Sequence, residues 1–220
     1  MEKALTIYDG VNEEVLSFVP TTAIRILDVG CGTGVMGERL CLNQDRSIVG
    51  ITYSEREADL ASTRLSKVYC ADLNVFDFDQ LGTFDCVILS HILEHLYFPE
   101  TVLERVKAVL GKNSVVIVAL PNVLLWKQRL AFLFGRWRYE DWGILDRTHF
   151  RFFDRRSSAD LLEQAGYEIL KGLPVGPFPL IRAPFRKWMG PIAVKIDRLM
   201  ARLAPGLFAF QFVYLARARR

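Results

Sequence analysis

The chain is poor in cysteine, histidine and methionine, with 4, 3 and 4 of them in 220 residues. The cysteines, Cys31, Cys41, Cys70 and Cys86, form no Cys-x-x-Cys pair and mostly sit in apolar runs. That argues against a disulfide framework or a thiolate metal site and predicts reduced core thiols. No run of about eighteen uninterrupted apolar residues exists; the most apolar stretch, VVIVALPNVLLWKQRLAFLF, is broken by Pro121, Asn122, Lys127 and Arg129. A transmembrane span is therefore not expected. The opening MEKALTIYDGVNEEV carries acids and lacks the apolar block and small-residue cleavage site of a secretory signal, so a cytoplasmic location is expected. Internal repeats and low-complexity segments are also missing.

What is present is a chain about half hydrophobic, long enough for one substantial core and too short for two ordinary domains. One domain over 1–220 is predicted, with insertions at about 122–150 and about 174–207. The net charge of +3 conceals an asymmetry: residues 1–170 hold 18 basic and 24 acidic side chains, while 171–220 hold 10 and 1. Such a basic end suits either a solvated face or an anionic neighbour.

Strand and helix patterns alternate. RILDVG, SIVGIT, KVYCADL, FDCVILS and SVVIVALP are short, β-branched, nearly continuous apolar runs. The segments between them have helical spacing or a capping box, such as Ser54 with Glu57, and FPETVLERVKAVLG is a helix opened at Pro99 and stopped by Gly111. Apolar strands separated by helices mean an α/β fold with a mostly parallel sheet covered on both faces. Beyond Pro121 the pattern shifts to aromatics and arginines until Ser157 and Asp160 open another helix; YEILKGL and LFAFQFVYLARA supply the last two strands. Between those strands lie a proline-rich stretch over 174–191, unsuited to a helix, and the amphipathic IAVKIDRLMARL. Its Ile192, Ile196, Leu199 and Leu203 share one face, flanked by Lys195, Arg198 and Arg202. Packing of that face against the sheet is expected, with the headgroup region of a membrane as the alternative.

Asp28, Gly30, Gly32 and Gly34 form D-x-G-x-G-x-G between a predicted strand and a predicted helix, a turn whose glycines let backbone approach a ligand closely. The wording LDVGCGTG resembles motif I of the class I S-adenosylmethionine-dependent methyltransferases, and the order of elements is similar over nearly the whole chain. The resemblance implies a Rossmann-like seven-stranded sheet with an antiparallel last strand, and S-adenosyl-L-methionine as cofactor. It implies a donor site built from Asp28, Gly30, Cys31, Gly32, Gly34, Thr52, Tyr53, Asp72, Leu73 and Ser90. Thr52 stands where the family usually offers an acid to the ribose, and Glu55 is a substitute within reach. Asp72 is the expected acceptor for the adenine amino group. The glycine spacing differs from the dinucleotide pattern, which disfavours an NAD-dependent oxidoreductase.

ILSHILEHL has His91, Glu94 and His95 in the H-x-x-E-H spacing of some zinc hydrolases. Its place after the fourth strand puts it at the rim where open α/β sheets bind ligands. LEHL followed by a proline is similar to wording common in the methyltransferases without zinc, so no catalytic metal is expected. His149 lies in LDRTHFRFF, which with LPN and GRWRYEDWG resembles a bacterial subgroup associated with polysaccharide and lipid-linked sugar synthesis. His149 is the expected general base for an acceptor hydroxyl, with His91 a second catalytic candidate; Asp146 and Arg147 orient it, bind substrate or pair locally. Trp126, Trp137, Tyr139 and Trp142 with Arg136 and Arg138 form a candidate acceptor cluster or a packed lid. The resemblance implies O-methylation of a saccharide, lipid-linked or other small-molecule acceptor. A quinone or phenol O-methyltransferase with a divalent ion and a non-catalytic membrane- or partner-binding relative are the alternatives. Nucleic-acid acceptors are disfavoured, because LSHI stands where adenine-type enzymes carry N-P-P-Y and no cysteine follows a proline.

Overall fold

The computed structural model describes residues 10–42, 44–176 and 188–219. The apolar runs form β1 (Arg25–Val29), β2 (Ser47–Thr52), β3 (Lys67–Cys70), β4 (Phe84–Ser90), β5 (Leu110–Pro121), β6 (Tyr167–Val175) and β7 (Gln211–Ala218). They make one seven-stranded sheet in the order β3-β2-β1-β4-β5-β7-β6. The first five are parallel to their neighbours, while β7 inserts antiparallel between β5 and β6. Alternate residues of each central strand feed opposite layers. Leu27, Leu89 and Val118 enter one core; Ile26, Ile88 and Ile117 enter the other. Both faces are therefore buried, which is why these strands read as continuous apolar runs.

The connecting helices are α1 (Glu13–Leu16), α2 (Val35–Cys41), α3 (Glu55–Ser62), α4 (Pro99–Val106), α5 (Trp126–Leu133), α6 (Arg155–Gln164), α7 (Pro191–Leu203) and α8 (Pro205–Phe208). Several boundaries differ from those the sequence predicts. α4 ends at Val106, before Gly111, which lies inside β5. α6 starts three residues earlier than expected, because Asp154 caps the amides of Arg156 and Ser157 and Ser157 returns the bond to Asp154 N–H. The first residues of LFAFQFVYLARA are not strand: the turn of α8 occupies them, and the Asn122 side-chain amide donates to the carbonyls of Gly206 and Ala209. Cys31 and Cys86 are buried as expected, whereas Cys70 is exposed at the end of β3. Most of the proline-rich stretch, and residues 1–9 of the opening read for a signal, lie outside the described residues.

The largest correction concerns α7. Most of the face expected to pack inward is turned out: Ala193, Asp197 and Ala201 are buried and Ile196 is half-buried, while Ile192, Leu199 and Leu203 are 60 %, 55 % and 69 % exposed. Small side chains allow the helix backbone close to the body, and the larger ones remain outside. No helix among the described residues is long and apolar enough to cross a membrane.

Close packing also fixes the layer over β2. A Cβ at Gly50 would lie 2.6 Å from Cys31 Sγ and 2.7 Å from Leu65 Cδ1. Gly50→Val is expected to destabilise the chain by about 1–3 kcal/mol through overpacking. A lower urea midpoint with unchanged slope would register it.

Candidate active site

The carboxyl ends of β1 to β5 form one rim, and the loops leaving them build the site. Gly30, Gly32 and Gly34 have φ of 83°, 51° and 81°, a left-handed conformation that side chains resist. The Gly30 and Cys31 amides donate to the Ile51 carbonyl at 2.8 and 3.0 Å, anchoring the turn to β2. A Cβ on Gly30 would come within 2.7 Å of Ile92, so this turn and the loop after β4 press together. Asp28, at the base of the turn, is 1 % exposed, and neither carboxylate oxygen has a hydrogen-bond partner. Burial raises its pKa to about 7. A buried, unpartnered carboxyl below a glycine cradle fits a cationic ligand.

At β2, Thr52 Oγ1 donates to Glu57 Oε2 at 2.7 Å. The acid missing from the strand end is thus supplied by the first turn of α3. Sequence reading assigned Glu57 to a capping box and looked to Glu55 instead; the Ser54 half of that box forms, with the Glu57 amide donating to Ser54 Oγ at 3.4 Å. Asp72 is exposed beyond β3, and its Oδ1 accepts from the backbone and side-chain amides of Asn74. Leu73 is buried, Tyr53 exposed, Cys31 buried behind the turn, and Ser90 half-buried at the end of β4. The rim thereby brings Asp28, the glycines, Thr52, Asp72 and Ser90 to one edge.

The H-x-x-E-H residues do not lie on a helical face. Leu93–His95 is a single 3₁₀ turn, and His91 has φ 52°. His91 Nδ1 is 3.2 Å from Glu94 Oε1 and Nε2 is 2.7 Å from Gln211 Oε1. Both partners accept in this amide orientation, so the ring donates twice and is cationic. Burial alone would lower its pKa, but the hydrogen bond and charge of Glu94, with Gln211, outweigh that and raise it. His91 therefore braces Glu94 against Gln211. Glu94 is 0 % exposed; burial pushes its pKa up, and the His91 hydrogen bond and charge, with the His95 charge, bring it below the usual range.

The group that gathers is Glu94, His95 and His149, whose ligand atoms lie within 4.8 Å of one another. Glu94 Oε2 is buried with no hydrogen-bond partner. The Glu94 carbonyl accepts from the Phe150 and Arg151 amides, which holds the His149 segment against the loop after β4. Thr148 Oγ1 donates to Asp146 Oδ1 at 2.8 Å and so accepts from His95 Nδ1 at 3.0 Å; His149 Nδ1 donates to the Ile144 carbonyl at 3.1 Å. His149 thus keeps its lone pair on Nε2. The rings meet edge to face at 4.6 Å. Burial lowers the pKa of His149, opposed in part by the Glu94 charge. Asp146 acts on His95 through Thr148, and its carbonyl accepts from the His149 amide at 3.1 Å, while Arg147 pairs with Asp141 at 2.9 Å. Of the aromatic cluster, Trp137 stacks on Phe132 at 4.9 Å and meets Phe152 edge-on, while Tyr139 and Trp142 are exposed.

Residues 8–171 match a family described as a methyltransferase domain. A ubiquinone biosynthesis O-methyltransferase of Pelagibacter ubique is 28% identical over 110 residues, covering 48% of this chain and 45% of that protein. The chain spans about half the length of the curated relatives it matches. A SAM-dependent methyltransferase of Archaeoglobus fulgidus superposes with a TM-score of 0.64 at 18% identity, covering 93% of this chain and 90% of that one. The plantazolicin methyltransferase BpumL in complex with SAH superposes at 0.57 and 19%, covering 94% and 80%. The chain belongs to the methyltransferase-domain family, and its fold is that of the class I enzymes dependent on S-adenosylmethionine.

Donor binding is expected to be proton-linked through Asp28. Its carboxyl is protonated below about pH 7, and only the ionised form attracts a cation. Affinity for S-adenosylmethionine should rise from about pH 6 to about pH 8 and then level off, with proton release on binding at the acid end. Calorimetry in two buffers of different ionisation enthalpy measures this, and Asp28→Asn should weaken binding and flatten the profile.

Proposed function

We propose that the chain is an S-adenosylmethionine-dependent O-methyltransferase acting on a small-molecule hydroxyl, with a saccharide or lipid-linked alcohol as the preferred acceptor class. The observation that carries this reading is the meeting of Glu94, His95 and His149 beside the glycine cradle, with the His149 lone pair on the nitrogen opposite its bonded Nδ1. An amine or carbanion acceptor has less use for such a group, whereas an alcohol must lose a proton as it is alkylated. The curated relatives named as O-methyltransferases support it.

When bound, S-adenosylmethionine supplies a methyl group on sulfonium, whose transfer leaves a neutral thioether. Asp28 and the glycine turn hold the charged end of that molecule, and Thr52 with Glu57, and Asp72, offer acceptors for its ribose and adenine. Alignment of a hydroxyl against the methyl group accounts for much of the rate; orientation of this kind contributes about 7–11 kcal/mol. His149 Nε2 takes the hydroxyl proton, and the Glu94 carboxylate stabilises the imidazolium that forms. His91 keeps Glu94 ionised and in place.

His149→Ala is expected to lower kcat by about 10²-fold or more while leaving donor affinity nearly unchanged. Unaltered turnover on an accepted alcohol would remove His149 from this role.

The same cluster supports a second reading. One carboxylate and two imidazoles, with Glu94 Oε2 buried and unpartnered, suit a first-row divalent ion, which would supply Lewis-acid stabilisation to an acceptor oxygen. Thr148 and the Ile144 carbonyl orient the two rings as supporting groups do around metal ligands. Chelator treatment separates the readings: loss of activity restored by added ion favours the metal, and full activity favours the base.

A further inference from the structure

The geometry points to α7 as a peripheral anchor that lays the active-site rim on an anionic lipid bilayer. The helix is amphipathic in the sense opposite to that of a packed surface helix. Its small face, Ala193, Asp197 and Ala201, meets the body, and Ile192, Leu199 and Leu203 form a stripe in solvent. Lys195, Arg198 and Arg202 lie along one side of that stripe, all exposed. Trp188, just before the helix, is also exposed. An apolar stripe edged by cations, with an aromatic ring beside it, is the arrangement that settles into the plane of lipid headgroups. Charge selects the occupant. Residues 171–220 hold 10 basic side chains and a single acid, Asp197, which the helix buries, so the exposed ionic surface of α7 is wholly cationic. A second copy of the chain would bring the same cations face to face, whereas an anionic bilayer complements them.

Topology places this surface at the site. β6 runs parallel to β5 and β7 runs against it, so the excursion carrying α7 and α8 leaves and rejoins the sheet at the rim where the donor turn lies. Gln211, where β7 begins, bonds His91. α5 joins the same surface: Arg129 donates to the Gly206 carbonyl at 3.1 Å, and Leu130, Leu133 and Phe134 are exposed beside Lys127 and Arg136. This inference deepens the proposed acceptor class, because a lipid-linked alcohol would meet the catalytic group from the bilayer.

The test measures partition of the full chain into vesicles without turnover, so it stands or falls separately from the methylation reading. Sedimentation with phosphatidylglycerol–phosphatidylcholine vesicles should show binding that weakens with added salt, and pure phosphatidylcholine much less. Leu199→Glu with Leu203→Glu, and separately Lys195→Glu with Arg198→Glu, should each lower partition by about ten-fold or more. Each variant should keep the thermal shift given by S-adenosylhomocysteine, which shows an intact donor fold. Absent partition, partition unchanged in both variants, or a wild-type dimer that the leucine variant converts to monomer would overturn the anchor.

Discussion

Two carboxylates kept from water at the mouths of adjacent strands set the terms for this molecule. Asp28 is the penultimate residue of β1 and Glu94 follows β4, and each has at least one oxygen with no hydrogen-bond partner. Leaving such groups dry costs free energy unless a cation arrives. The fold tolerates that cost because the surrounding parallel sheet is apolar on both sides and anchors each loop through backbone bonds. The two acids are treated differently. Asp28 stands without a counter-charge and so holds its proton to near neutrality, whereas Glu94 is kept ionised by the His91 cation. One is poised to accept a positively charged ligand, and the other is a negative centre beside the His95 and His149 rings.

Much of this was legible from residue order. Five strands and the glycine turn could be read because each depends on local rules: two-faced burial demands continuous apolar runs, and φ above zero demands glycine. Asp28 followed from its place in that motif. The rest depended on which distant atoms meet. Glu57 was read as a helix cap because its spacing from Ser54 is local, but its carboxylate finds Thr52 across the loop. H-x-x-E-H placed His91, Glu94 and His95 at the rim; His91 adopts a left-handed backbone, only Leu93–His95 make a 3₁₀ turn, and His149 from a later segment joins Glu94 and His95.

α7 shows a further limit. Periodicity identifies two faces of a helix but not which one packs. Here close approach favours the alanine face, and the bulky side chains are left outside. The same excursion, together with α5, departs most from what a bare sheet-and-helix core requires.

Gln211 ties the molecule together in an unexpected order. Its side chain exchanges hydrogen bonds with Asn12, which caps α1, and also receives His91. The strand it opens follows the other six along the chain, yet it sits between two earlier ones. Until β7 is in place, β5 has an unpaired edge and the Glu94 loop lacks its brace. Assembly of the catalytic rim is thus coupled to the seating of a distant strand, and a chain with β7 out of register would possess the glycine turn without an ordered partner across the rim.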